Sequence, residues 1–221
     1  MPGYAKRSYR SKRGSKRRSG PKYTTYGSAK FLANKAVRGV QYLKGLVNSE
    51  LYKFDAGATA SAVVTTPVVA HVTGLGNGDG EGQRTGNSVL AKSLNVRGTM
   101  TVDTAGATTN ARFCVIRDKQ QIGDSFPGWT DVFEAANPYA FLKKETVGRF
   151  EILYNKQVVL VPAGDASWNF AISIPMQSHI RYNGTGGGDI QKNGLYVMYC
   201  SDRSTLNPTL NYATRLQYHD N

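Results

Sequence analysis

Residues that could build a catalytic or metal site are few and scattered in this sequence. The 221-residue chain has three histidines, His71, His179 and His219, and two cysteines, Cys114 and Cys200. None lies at the spacing of a zinc site or a redox pair, and no G-x-S-x-G, P-loop or H-E-x-x-H motif occurs. Both cysteines lie in apolar stretches, which predicts that each packs as a small hydrophobic side chain. We therefore predict no enzymatic activity.

One glycine-rich segment, residues 74–82, is similar at first sight to a phosphate or calcium loop. It does not match G-x-G-x-x-G, and no helix pattern follows that could present its N-terminus to a phosphate. Asn77, Asp79 and Glu81 place oxygen atoms two residues apart, as calcium loops do, but the twelfth position is Ser88 rather than glutamate. We expect a flexible loop.

Positive charge is the one chemical property that the sequence concentrates. Residues 1–49 hold 13 Lys and Arg and no acid, whereas residues 50–221 hold 15 basic and 15 acidic residues. A neutral body with a basic arm is typical of a protein whose arm binds a polyanion. Residues 1–27 are too polar to fold alone and are expected to order on nucleic acid. The predicted phosphate ligands in this arm are Lys6, Arg7, Arg10, Lys12, Arg13, Lys16, Arg17, Arg18 and Lys22.

A basic amphipathic helix is predicted over residues 28–48. Its apolar positions fall on one helical face and are Leu32, Ala36, Val40, Leu43 and Val47. Its basic positions, added to the predicted nucleic-acid ligands, are Lys30, Lys35, Arg38 and Lys44. Three interpretations of this helix stay open. It packs on the body through its apolar face only, it packs there and also binds nucleic acid through its basic face, or it lies on a membrane surface. The last alternative is disfavoured because the apolar face is short and lacks Trp, and no apolar run is long enough for membrane insertion.

Residues 49–221 form the third predicted region, and there the period of the apolar residues changes to two. Leu94, Val96, Met100 and Val102 alternate with polar residues, and similar runs predict eight to ten strands. Only residues 129–145 lack a strand pattern, and Thr130–Ala136 are expected to form a short helix capped by Thr130. Many antiparallel strands in this length predict an all-β sandwich or barrel. Side chains expected inside the sandwich include Phe150, Trp168, Phe170 and Ile172.

Five short stretches in the body follow one another in a specific order. They are Gln83–Asn87, Lys92–Thr99, Arg112–Asp118, Thr130–Phe133 and Arg149–Leu153. With the basic arm, they resemble the coat proteins of the satellite tobacco necrosis virus type. Capsid proteins of circular single-stranded DNA viruses that encode a replication initiator have a similar pattern. The resemblance covers roughly residues 45–220, and the arm matches in composition only.

The resemblance implies a viral capsid protein with an eight-stranded antiparallel jelly roll and no enzymatic activity. It implies self-assembly into a sixty-copy T=1 icosahedral shell that packages single-stranded genome through the arm. We favour DNA over RNA because the run Lys16-Arg17-Arg18 suits a nuclear localisation signal, read by nuclear import receptors. The expected locations are then the virion and, during assembly, the host nucleus.

The resemblance also implies one metal. In such coat proteins calcium lies between subunits, and the matching positions here are Thr85, Ser88 and Asp220. No other cofactor is expected.

Two alternatives stay open. One is the coat protein of a satellite RNA virus. The other is a non-viral nucleic-acid-binding protein with a basic tail, of the ribosomal or chromatin type. The neutral body favours shell-building over the second, because ribosomal and chromatin proteins usually have basic residues on the folded face that contacts nucleic acid.

Overall fold

The computed structural model describes residues 25–46, 50–122 and 125–220, with side chains described at 30–40, 61–122 and 125–220. The chain divides into two compact units, Met1–Val47 and Asn48–Asn221. In the first unit, helix α1 spans Thr25–Leu46, where the sequence predicted a helix over 28–48. The predicted arm ligands from Lys6 to Lys22 and the side chain of Lys44 lie outside the described residues.

The described part of the second unit contains eleven strands and a short helix. The strands are β1 (Glu50–Ala62), β2 (Val68–His71), β3 (Gly76–Asn77), β4 (Gln83–Arg84), β5 (Ser88–Thr101), β6 (Thr109–Asp118), β7 (Phe150–Leu160), β8 (Ser167–Tyr182), β9 (Ile190–Lys192), β10 (Gly194–Ser201) and β11 (Thr209–Asp220). Helix α2 spans Trp129–Val132. The count exceeds the predicted eight to ten because β3, β4 and β9 are only two or three residues long.

The two main sheets have the strand orders β1-β11-β5-β8-β9 and β2-β10-β6-β7, and their pairings are antiparallel. Without the short strands β3, β4 and β9, eight strands remain, and they pair from the outside inward. The pairs are β1 with β11, β2 with β10, β5 with β8 and β6 with β7. A long hairpin folded over in this way is the eight-stranded jelly roll, which confirms the predicted fold class.

The main core lies between the two sheets. From β5, Leu94, Val96 and Met100 are fully buried, which confirms the predicted period of two. Phe113 of β6 contacts several aromatic rings, including Phe170 at 4.8 Å between centroids. Each such side chain contributes about 1.5–3 kcal/mol when fully buried.

The two sheets differ in what covers their outer faces. Every residue of β10, in the four-stranded sheet, is buried, because residues of the segment 125–149 pack on its outer face. Trp129, Val132 and Phe133 from that segment pack there in a second apolar cluster. In the five-stranded sheet, buried and exposed residues alternate along β11, so one face contacts the core and the other faces solvent. We call this solvent-facing side the open face.

Two local predictions were wrong. Phe150 lies in the second cluster, not between the sheets. Because the four-stranded sheet is apolar on both faces, alternation in β7 could not show which face meets the other sheet. Helix α2 begins at Trp129 rather than at Thr130, because the carboxylate of Asp131 accepts a hydrogen bond from the Gly128 amide at 2.7 Å.

Candidate subunit and nucleic-acid surfaces

Arg84, in the first stretch that carries the resemblance, is a fully buried cation. Its guanidinium donates hydrogen bonds to the carbonyl oxygens of Leu75 at 3.0 Å, Gly86 at 2.6 Å and Gly184. It also lies 4.0 Å from the ring centroid of Tyr182. The side chain thus joins the loop before β3, the loop after β4 and the loop after β8.

The glycine-rich segment 74–82 is shaped by these contacts. Residues Gly76–Asn77 pair in parallel with Gln83–Arg84, and the side chain of Gln83 accepts a hydrogen bond from the Gly80 amide at 2.7 Å. The segment is therefore held against the body. Its acidic residues do not belong to any group of three or more His, Cys, Asp or Glu within the described chain that could hold a metal ion.

Thr85 and Asp220, two of the three predicted calcium positions, do come together. One carboxylate oxygen of Asp220 accepts hydrogen bonds from the Thr85 amide at 2.6 Å and the Thr85 hydroxyl at 2.9 Å. The other oxygen, Oδ1, is buried and has no hydrogen-bond partner in the described structure. This pair fastens the end of β11 to the loop after β4.

Ser88, the third predicted calcium position, has a different neighbour. Its hydroxyl lies 3.2 Å from Nδ1 of His179 on the adjacent strand. A depression of about 510 Å³ opens at this pair. It is lined by Asn87, Ser88, His179, Arg181, Tyr182 and Gln191.

Two arginines of the other stretches, Arg149 and Arg112, hold residues 125–149 against the four-stranded sheet, and a third, Arg117, joins two strands of that sheet. Arg149 forms a bidentate ion pair with the fully buried Asp118, at 2.9 and 2.5 Å. Arg112 donates to the carbonyl oxygen of Ala140 at 2.6 Å and lies over the ring of Phe133. Arg117 is paired with Glu151. Nothing in the sequence pattern of these stretches predicted this role.

The predicted nucleic-acid ligands in α1 can be placed only in part. Lys30, Lys35 and Arg38 are exposed in the described stretch 30–40. The apolar residues Leu32 and Val40 of that stretch are also exposed within this unit. No helix in the described part of the chain is both long and apolar enough to cross a membrane.

The remaining candidate reactive groups are in environments that suppress reactivity. Both cysteines are free and buried, which confirms their prediction, and burial raises the pKa of Cys114 and of Cys200 to about 12. His71 stacks on Tyr196, and burial lowers its pKa to about 4. Beside Ser88 and His179, no carboxylate of the described chain is hydrogen-bonded to the imidazole, as a catalytic triad would require.

Comparison with protein-family models decides the identity. The model of the satellite tobacco necrosis virus coat protein matches residues 23–221, which is nearly the whole chain. The chain belongs to this coat protein family. The coat protein therefore has a structural role in a virion, as the resemblance of the five stretches implied.

Other comparisons give less. A comparison of this chain with curated proteins found no match. Among solved structures the coat protein is similar to the infectious bursal disease virus Gx strain structure, at 10% identity and TM-score 0.31, over 78% of this chain and 32% of that one. It is also similar to the VP2 subviral particle of infectious bursal disease virus, at 11% identity and TM-score 0.29, over 79% and 33%. The coat protein spans about a third of the length of these chains.

The resemblance implies that the calcium ligands at Thr85 and Ser88 are backbone carbonyl oxygens, joined by an acid near the C-terminus. Within the described part of one chain, Oδ1 of Asp220 is a buried acid oxygen without a hydrogen-bond partner, and the other Asp220 oxygen is bonded to Thr85. Calcium takes six to eight oxygen ligands, which is more than these positions supply. The calcium site between subunits therefore needs further ligands, and it stays a prediction.

Proposed function

We propose that this coat protein assembles into a closed T=1 shell of sixty copies and packages a single-stranded genome through its basic arm. Membership of the coat protein family supports the shell, and the jelly-roll strand order supplies a body of the right type. The observation on which packaging depends is the division of charge, with 13 cationic residues and no acid before Glu50. An arm of this composition binds phosphate by releasing condensed counterions.

We further propose that the genome is DNA and that assembly takes place in the host nucleus. The support is the run Lys16-Arg17-Arg18, which has the composition that nuclear import receptors bind. RNA is the alternative outcome of the same experiment. Neither proposal involves a catalytic step.

The test begins with the full chain expressed alone and sized by chromatography with light scattering. Sixty copies of a 24.1 kDa chain give a particle of about 1.4 MDa. Nucleic acid protected inside the particles is then extracted and treated with DNase or RNase. A chain that stays a small monomer would contradict the shell, and particles whose protected strand resists DNase but not RNase would contradict the DNA genome.

The matched variant lacks residues 1–22 and therefore nine of the cationic residues. We expect it to keep the folded body, because the first strand begins at Glu50, and to lose most of its protected nucleic acid. Equal protection with and without the arm would contradict packaging through the arm.

A further inference from the structure

The depression beside Ser88 is lined by hydrogen-bond donors and has no acid. Its cationic or polar residues come from the strands β5, β8 and β9 and the loop before β5, and they are Asn87, Ser88, His179, Arg181 and Gln191. Arg181 is exposed, and the hydroxyl of Ser88 is already aligned with the His179 ring at 3.2 Å. Guanidinium, imidazole, hydroxyl and amide groups together are the usual ligands of a phosphate oxyanion.

Strand register places this depression on the open face of the five-stranded sheet. Ser88 pairs with Arg181, and Leu90 lies between His179 on one side and His219 on the other. Directly paired residues point to the same side of a sheet. Arg181 also pairs with Lys192 of β9, which adds a further cationic residue at this end of the face.

The described positions of β5, β8 and β11 on the open face carry basic residues and no acid. They include Arg97, Arg181, Arg215 and two histidines. On the edge strand β1, where these side chains are not described, register pairs Lys53 with Gln217 and Asp55 with Arg215. Along β5 and β8, away from β1, the neutral sum over residues 50–221 therefore conceals a local excess of positive charge.

A second groove continues the same surface. It has a volume of about 340 Å³ and is lined by Asn95, Arg97, Ala213, Thr214, Arg215 and Gln217. Arg97 is flanked in register by Ala171 and Ala213, whose short side chains leave space beside the guanidinium. Ser88 and Arg97 are nine positions apart on β5, so a nucleic-acid strand lying along β5 would pass both places within about 30 Å.

We propose that the depression at Ser88, His179 and Arg181 is a phosphate-binding site on the body, and that it holds the backbone of the packaged single strand. The inference rests on the proposed packaging function and adds to it, because the arm is then not the only nucleic-acid ligand. Arg181 provides the charge and a planar pair of donors. Ser88 and Asn87 donate from the neighbouring strand end, and the groove at Arg97 receives the next stretch of backbone.

The test uses the full chain with Arg181→Gln and a fluorescent oligothymidylate, titrated at several salt concentrations. Each lost phosphate contact lowers the slope of log K against log salt by about 0.7 for a single strand. We expect Arg181→Gln to show that change, with roughly five- to tenfold weaker binding at low salt. Arg181→Lys keeps the positive charge but loses the planar pair of guanidinium donors. It should have the wild-type salt slope and an affinity between those of Arg181→Gln and the wild type.

The matched control is Lys156→Gln, which removes one exposed charge from β7 in the other sheet. It should leave the slope unchanged, and equal melting temperatures of all variants would show that the body is intact. If Arg181→Gln has the same slope of log K against log salt as the wild type, this inference is overturned. The packaging function would still stand if particles lose their nucleic acid when residues 1–22 are removed. Weaker binding of a sulfated polysaccharide by Arg181→Gln, with unchanged DNA binding, would also overturn the inference, because the site would then serve a glycan.

Discussion

Arg84 shows how a motif residue can be structural rather than chemical. A buried guanidinium is expensive to desolvate, and here it is compensated by three carbonyl oxygens and the face of Tyr182. Those carbonyl oxygens belong to three different loops, where no backbone amide of a neighbouring strand in the described structure is bonded to them. The guanidinium supplies the hydrogen-bond donors instead. Leu75 and Tyr182 are buried with it, and Gly86 and Gly184 are partly buried.

Replacing Arg84 with methionine should lower the free energy of unfolding by about 3 kcal/mol or more. The side chain would fill much of the space, but the carbonyl groups of Leu75, Gly86 and Gly184 would lose their donor, and each unsatisfied buried group costs about 1–3 kcal/mol. Urea unfolding of the full chain measures the change. Arg203→Met, at a partly exposed turn position, is the control, and equal destabilisation by both variants would contradict a special role for Arg84.

His71 makes stability depend on pH. Burial lowers its pKa from 6.5 to about 4 in the folded chain, so between these values the unfolded chain binds a proton that the folded chain does not. Stability contributed by this group is present above about pH 6.5 and is lost as the pH falls toward 4, by roughly 2–3 kcal/mol. Unfolding of the wild type and of His71→Gln compared at pH 7 and pH 4.5 isolates the effect. The same pH dependence in both proteins would show that other groups are responsible.

At the scale of elements, the decisive feature is that one sheet is covered and the other is open. The segment 125–149 buries Cys114, Ile116 and Met198 on the outer side of the four-stranded sheet. On β8, by contrast, the odd-numbered residues from Ser167 to Arg181 are exposed, while their even-numbered neighbours are buried or partly buried. A polar sheet face of this kind is free to bind a partner without a change in the core.

Phe170→Ala tests the register of β8. Phe170 is 9% exposed, and its ring lies 4.4 Å from Trp168 and 4.8 Å from Phe113. Its removal should cost about 3–5 kcal/mol, from lost transfer energy and the cavity left behind. Gln177→Ala, at an exposed position of the same strand, should change stability by less than about 0.5 kcal/mol. Unchanged melting of Phe170→Ala would mean that the strand faces the other way.

For the whole molecule, charge relates the arm to the content of the shell. A closed shell has a copy number fixed by symmetry, so its total arm charge is fixed as well. Sixty chains, each with thirteen cationic residues in the arm and helix before Glu50, bring about 780 positive charges. The open face adds a smaller number, which depends on how much of it contacts the strand.

The packaged genome should therefore be on the order of one to two kilobases, somewhat above the arm charge, with mobile cations neutralising the remainder. Nucleic acid extracted from nuclease-treated particles and sized on a denaturing gel gives the value. Particles of the chain without residues 1–22 are the control. A protected strand of many kilobases would require a shell of more than sixty copies, and no protected strand at all would contradict packaging.

The sequence by itself determined the all-β body, the basic segments before it and the alternation that buries Leu94, Val96 and Met100, because period and charge are local properties of a chain. The resemblance to a family named Thr85 and Asp220 as ligands of a calcium ion between subunits, but only the structure shows that they bond to each other within one chain. The sequence could not determine that Phe150 packs with residues of the segment 125–149, or that Arg84 binds loops far apart in the sequence. It likewise could not show that Arg97, Arg181 and Arg215 share one acid-poor face. Those facts depend on which strands become neighbours and which sheet is covered, and strand pairing between residues as distant as Ser88 and Arg181 exists only in the folded structure.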